Sequence, residues 1–473
     1  MANPLHVDVL RNLANHADRA TALGEVSELT KMLLKETGRG LQLAEADLSN
    51  LDLSGCDLEG AVLSRAVLHG AKLVGANLER CTMICPGLER TDLSRARLRG
   101  AYVHALAAQT SKLDDADLSD LRDATGSLFH GCSMRGANLS GAQLAGATFY
   151  QCDLTGADMS GTALQGAEIN ECLLRSTTLG QAQVSQLTIT KCSMTGADLT
   201  GASGEGAVLQ RLTDADEVTL TGASLSGVRI SGVRASGWSA SGIHAPRADI
   251  SQVSLIGANF SGADLSQARI VESALPDANL TGAILHAASI LSSSLVGANL
   301  SNAQGENLHV VESSLREADL TQFTGRCMTM RDTGLKQARM RGINLYRAML
   351  TGDPPRAMCL AGADLTGAIL VQAYIAADLN GANLREANGA YSRFSQSDLT
   401  GADLSGANMY QSTWVKVTCQ EVSVAGVQAP IFIDRCPGLI ESAKKSQEDG
   451  AEKFVSFIEG LGLLLAGERK GST

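Results

Sequence analysis

A five-residue period runs through most of this chain. From Ala46 it reads ADLSN LDLSG CDLEG AVLSR AVLHG AKLVG ANLER. With the leucine as the centre of each unit, a small residue lies two before it and Asp or Asn one before it. Ser or Thr follows, and then often Gly. No regular element can use that period with a single apolar face. On an α-helix five residues advance about 500°, which scatters successive leucines around the axis. On a straight strand an odd period sends alternate leucines to opposite faces. Every leucine reaches a shared interior only if the chain turns a corner at each unit, and Asp, Asn, Ser and Gly are the residues that turns favour. The centre and the residue two before it then point inward, and the other three positions face solvent.

The cysteines set the number of corners. Cys132, Cys152, Cys172 and Cys192 all lie two before a centre and recur every four units. A four-sided coil stacks them in one column. Coils spaced like hydrogen-bonded strands, about 4.7–4.9 Å apart, hold neighbouring Cβ atoms slightly too far apart for a disulfide, which wants about 3.5–4.5 Å. Four reduced, buried thiols are expected. A one-dimensional stack cannot surround a metal tetrahedrally, so a soft-metal column is not.

The motifs ADLS, ANLSG, ADLTG and ANLTG recur from about Ala46 to Ala407, and weaker units continue to about Val427. In this the chain resembles the pentapeptide-repeat proteins over some four-fifths of its length. The resemblance implies an all-β solenoid, a right-handed quadrilateral β-helix. Counting units gives about nineteen coils, or roughly 90 Å at about 4.8 Å per coil. The expected organisation is an N-terminal helical cap over 1–40, the repeat over 41–430, and a C-terminal cap or dimer contact over 431–473. Register slips are expected near 129–133, 210–219 and 376–377. The Pro pair of GDPPRAM at 352–358 implies an irregular corner.

Interior volume is exchanged between the two inward positions. Ala240 at a centre is preceded by Trp238, and Gly325 by Phe323; these aromatics read as core filler. At the N-terminus Asn3 can cap, Pro4 suits the first helical position, and Val26, Leu29 and Leu33 form a stripe ending at Gly38. Near the C-terminus Phe454, Phe457, Ile458, Leu461 and Leu465 have helical spacing. They suit a second cap; the family resemblance offers a C-terminal dimer contact instead, so monomer and dimer both stay open. CPGL occurs at both 85–88 and 436–439.

No phosphate loop, H-E-x-x-H or C-x-x-C is present, and the eight histidines show no metal spacing. Aspartates sit one before the centres because corners want them. A filled bore leaves no interior pocket, so the chain reads as a non-enzyme with no cofactor. The formal net charge of −11 argues against nucleic-acid binding. No apolar run approaches the roughly 20 residues of a membrane span. With no secretory signal pattern at Met1, eleven cysteines point to a reduced, cytoplasmic setting in a bacterium. The expected role is a scaffold presenting long faces to protein partners. The richest candidate patch is Asp114, Asp115, Asp117, Asp120 and Asp123. Two alternatives come from the resemblance: a DNA mimic that binds gyrase and protects it from inhibitors, and a secreted effector of the same fold. Duplex DNA carries one charge per about 1.7 Å, so the modest acidity speaks against the mimic.

Overall fold

The structure, a computed structural model, describes residues 1–16, 18–352, 358–428, 430 and 432–445. The chain forms two compact units, Met1–Ile243 and His244–Thr473. Each is a β-solenoid wound from the same coil. In the first, Asp52, Lys72, Asp92 and Lys112 pair in a parallel ladder at intervals of twenty residues; in the second, Asn259, Asn279, Asn299 and Asp319 do the same. Three sides of the coil are held mainly by such single bridges. The remaining side carries strands of two or three residues, from Gly87–Glu89 to Arg229–Ser231 in the first unit and from Asp249–Ser251 to Phe432–Asp434 in the second. Counted along the strand-bearing sides of the described residues, the two units make about 17 turns. Isolated bridges from Asp47 to Val67 and from Val67 to Gly87 precede the first of those strands.

Alternating burial follows from the unit. The leucine centres and their small partners are buried, as at Ala137 and Leu139 or Ala278 and Leu280. The residue two after the centre takes positive φ, as at Gly156 (φ 69°), and glycine meets that demand without strain. Where another residue stands there it is usually unbranched and polar, as at Gln181 or Glu317.

Two sides of the first unit hold one residue too many between their paired inward positions, where one is usual. Leu121 and Ala124 both face inward with two residues between them, and so do Leu212 and Ala215. The extra residues are Asp123 (φ 54°) and Asp214 (φ 42°). These are bulges of one residue. The first corrects the expected slip near 129–133: the frame changes at Asp123, before Leu128. Leu128 is therefore 46% exposed, and Phe129 fills the core against Phe149, ring centroids 4.7 Å apart. In the second unit Ile375 and Ala377 both face inward with only Ala376 between them. The coil before that is longer than the rest, since Met349 pairs with Tyr374. The two prolines of GDPPRAM lie outside the described residues.

Helices α1 (Pro4–Asn15) and α2 (Arg19–Thr37) close the first coil. An open solenoid end exposes one row of carbonyls per side, and here each side receives a donor. Asn3 N–H donates to Gln42 O at 2.9 Å. Arg11 reaches Asp47 O at 3.5 Å, Arg19 reaches Asp52 O at 3.2 Å, and Thr30 Oγ1 reaches Asp57 O at 2.8 Å. This corrects the expected stripe on α2. Its buried positions are Ala22, Val26 and Thr30, while Leu29 and Leu33 are half-buried, because the coil end presents carbonyls as well as side chains. At the other end α3 (Leu439–Lys445) follows the last strand. The two CPGL segments are out of register with one another. Pro86 points inward at the first and Cys85 turns the corner with φ 52°, whereas Arg435 turns it at the second with φ 53°.

Candidate functional site

The cysteine column has a cause in backbone hydrogen bonding. Where a side carries a single bridge, the corner that follows it closes on itself: Ala137 N–H donates to Met134 O at 3.2 Å and Ala142 N–H to Leu139 O at 3.0 Å. Along the thiol column the extended strand runs on past the centre before the corner residue turns with positive φ, as at Gln151 (φ 53°), and the inward residue's N–H finds another acceptor. Cys152 N–H donates to Cys172 Sγ, and Cys172 N–H to Cys192 Sγ, each at 3.3 Å. Each thiol in turn donates to backbone carbonyls, as Cys152 does to Phe129 O at 3.3 Å. Cys, Ser and Thr can all serve, since each offers a donor and an acceptor on a short stem. Thr91 and Ser111 occupy the same column earlier in the first unit, and Ser273, Ser293 and Ser313 occupy it in the second, with Ser273 N–H on Ser293 Oγ at 3.1 Å. All four thiols are free and buried. Bonding to Cys152 and then burial push the Cys132 thiol up, so it is held protonated.

The five candidate aspartates do not form one patch. They follow the chain around three consecutive sides of a coil, and most are already engaged. Asp114 accepts from Ser133 Oγ at 2.5 Å and from Arg135 N at 2.9 Å. Asp117 accepts from Ser119 N at 3.1 Å. Asp120 faces Arg99 Nε at 3.5 Å. Asp123, at the bulge, accepts from Tyr102 Oη at 2.9 Å and meets His104 Nδ1 at 3.1 Å; the Tyr102 hydroxyl, above all, holds its carboxyl below the usual range. Asp115 is an exposed corner residue.

Trp238 and Phe323 are buried. The Trp238 indole donates to Ala215 O at 2.6 Å, beside the bulge at Asp214. Phe323 occupies the space left by two glycines, not one: a Cβ on Gly325 would lie 2.9 Å from Phe323 Cε1, and Gly305 is blocked by the same ring. Gly305 sits at a centre one coil earlier; sequence reasoning missed it, though its place in the period marks it. Phe454, Phe457, Ile458, Leu461 and Leu465 lie outside the described residues.

An open groove of about 590 Å³ follows the corner between Val253 and Asp332, with Glu272, Ser292, Ser294 and Glu312 on its walls. The hydroxyls of Ser273 and Ser293 at its floor are already bonded to backbone. Among the described residues no three His, Cys, Asp or Glu side chains gather to hold a metal, and no helix is long and apolar enough to cross a membrane.

Elsewhere on the second unit, two adjacent sides have an unusual composition over five successive levels: 324–331, 344–351, 369–376, 388–395 and 408–415. They carry Tyr346, Tyr374, Tyr391 and Tyr410 with Arg326, Arg331, Arg347 and Arg393, and no Asp or Glu. Sequence reasoning missed this surface because its members are dispersed over some ninety positions of the chain.

The chain matches a family described as Pentapeptide repeats, in 8 copies, with matched residues 42–80, 61–100, 132–169, 248–286 and 376–413. No curated protein sequence matches it. Among solved structures it is similar to a trypsin-treated variant of QnrB1, a plasmid-mediated fluoroquinolone resistance protein, at 17% identity, covering 53% of this chain and 92% of that one, TM-score 0.25. It is also similar to HetL, a pentapeptide-repeat protein involved in heterocyst differentiation regulation from the cyanobacterium Nostoc sp., at 22% identity over 59% of this chain and 94% of that one, TM-score 0.15. A pentapeptide-repeat protein of the Arabidopsis thaliana thylakoid lumen shares 27% identity over 26% of this chain and 69% of that one, TM-score 0.11. The family match falls on stretches that carry the five-residue unit and the twenty-residue ladders, and the chain is a pentapeptide-repeat protein.

Proposed function

We propose that this chain is a non-enzymatic scaffold that binds other proteins through its outer faces. The observation that carries this is the filled bore. The inward residues of each described coil are packed against one another, so a ligand has only the outside to engage. The polar side chains that would otherwise suggest chemistry are spent on the backbone. Asp158 Oδ1 accepts from Ser160 N at 2.9 Å, Asp198 Oδ1 from Thr200 N at 2.8 Å, and the pattern repeats along both units. Repeated coils build extended surfaces of the kind solenoids use for partners. The gyrase-directed DNA mimic asks for an evenly negative exterior, and the arginine-bearing, carboxylate-free sides of the second unit count against it. Photo-crosslinkers at outward positions of the full chain test the proposal. They should capture a host protein that, once purified, re-forms a complex at micromolar concentration without added cofactor. Failure of every captured candidate to rebind would overturn it.

A further inference from the structure

Resting on that scaffold reading, we propose that the tyrosine–arginine surface of the second unit, spanning levels 324–331 to 408–415, is the docking face for an acidic peptide segment of a protein partner. Its levels are adjacent: Thr329 pairs with Met349, Met349 with Tyr374, Tyr374 with Arg393, and Arg393 with Thr413. At strand spacing, five levels cover about 19 Å, room for a segment of a few residues on each of two sides. Four of the chain's 6 tyrosines are here.

Arg331, at the edge of this surface, pairs with Asp332 at 3.7 Å, but the other three arginines of the surface are deployed differently from their neighbours. On the adjoining side Arg339 pairs with Asp319 at 3.2 Å, Arg341 with Asp364 at 3.8 Å and Arg385 with Asp403 at 3.1 Å. Arg326 and Arg347 instead lie over the Tyr346 ring, at 5.5 Å and 5.3 Å, and Arg393 lies 5.9 Å from the Tyr374 ring. Arg347 Nε also donates to Gln372 Oε1 at 2.7 Å. Stacking fixes a guanidinium without supplying a charge that neutralises it. Three positioned guanidiniums that pair with no carboxylate among the described residues, in a chain of net charge −11, are complementary to carboxylates, which they can meet bidentately. Apolar contact is available beside them: Met349 is 49%, Tyr391 52% and Tyr410 50% exposed. Tyr and Arg are the residues that dominate binding hot spots.

The same residues do not suit nucleic acid. Base stacking needs free aromatic faces, yet Tyr346 already has two guanidiniums over its ring, and Tyr391 meets Tyr410 edge-on at 89°. Carboxylates also border the surface, with Glu306 and Asp434 beyond its ends and Asp332 and Glu386 at flanking corners. They favour a short acidic segment over a long phosphate backbone.

A displayed library of random 12-residue peptides, selected on the full chain, tests this. Enriched peptides should carry net negative charge with aromatic or aliphatic residues. Their affinity should fall about tenfold or more in the Arg326→Ala/Arg347→Ala/Arg393→Ala variant and in Tyr391→Ala/Tyr410→Ala. It should stay unchanged in the Arg339→Ala/Arg341→Ala/Arg385→Ala control, with thermal melts confirming that all variants fold. The proposal is overturned if no peptide is enriched, if enriched peptides are neutral or basic, if both arginine triples lose equally, or if a 12-nucleotide single-stranded DNA binds more tightly. It is equally overturned if the surface holds a second copy, seen as a dimer that the first triple dissociates. Binding that appears only after removal of 446–473 assigns the surface to the chain's own tail and overturns it too. If the purified host partner still rebinds the first triple, the scaffold reading stands and this surface falls; if no host partner rebinds even the wild type, the scaffold reading itself has failed.

Discussion

The residue that explains most about this fold is the inward one after a strand. Where its N–H does not close the corner, a short polar side chain of the next coil supplies the acceptor, as Cys172 does for Cys152. We expect Cys172→Ser to unfold at nearly the wild-type denaturant concentration, because Ser keeps both hydrogen bonds. Cys172→Val, close in volume, should cost about 1–2 kcal/mol and speed hydrogen exchange at the Cys152 amide. Equal stability of the two variants would contradict this. Volume is policed as strictly as polarity. Gly325→Ala drives a Cβ against Met328 Sδ and Phe323 and should cost about 1–3 kcal/mol. Phe323→Ala opens a cavity and should cost about 3–5 kcal/mol. Joining Phe323→Ala to Gly325→Leu restores the Ala–Leu pairing of ordinary units and should recover part of that loss. A double variant no better than Phe323→Ala, measured by urea unfolding, would show that the two positions do not share space.

At the scale of one coil, register decides everything, because slipping by one residue exchanges inside and outside. Asp123 is the surplus residue of its side, so deleting it places Leu121 and Ala124 at ordinary spacing. We expect that deletion to shift the melting temperature little, and deletion of Ser160, from a regular coil, to abolish cooperative melting. Similar losses from both would refute the bulge. The period, the four sides and the inward leucines were legible in the sequence because a five-residue unit has one way to bury them all. The site of the slip was not. Ser127, Leu128 and Phe129 offer two apolar candidates for one inward place, and the choice rests on Phe129 stacking with Phe149. A local signal was present all the same: LRDA at 121–124 and LTDA at 212–215 share the Asp that takes positive φ in both bulges. The tyrosine–arginine surface was illegible for another reason. It is defined by which residues stack across coils, and by the carboxylates missing between them, neither of which is a local pattern.

For the molecule as a whole, the aspartates one before the centres make stability depend on pH. Burial pulls Asp52, Asp153, Asp264, Asp319 and Asp403 upward. The hydroxyl or N–H of the residue two on outweighs it, aided by Arg19, Arg135, His244, Arg339 and Arg385 respectively. Each carboxyl therefore sits below its ordinary value, and its ionised form is favoured by folding. That contribution is fully present above the unfolded carboxylate pKa of about 3.9 and is lost as pH falls through the lowered folded values. Melting temperatures should be flat from about pH 5 to neutrality, as far as these groups decide them, and should drop below about pH 4; a rise in that acid range would contradict the assignment.

The central claim is that the backbone winds as a four-cornered tube with twenty residues to an ordinary turn. Spin labels at Gly262 and Gly367 test it most directly, since both are corner positions with open space beside them. The bridges from Asn259 through Asn279, Asn299, Asp319 and Arg339 to Asp364 place them five coils apart on one column. Pulsed electron–electron resonance should return one narrow distance of about 24 Å between the label sites, allowing for linker length; a broad distribution, or a distance beyond about 40 Å, would contradict the winding.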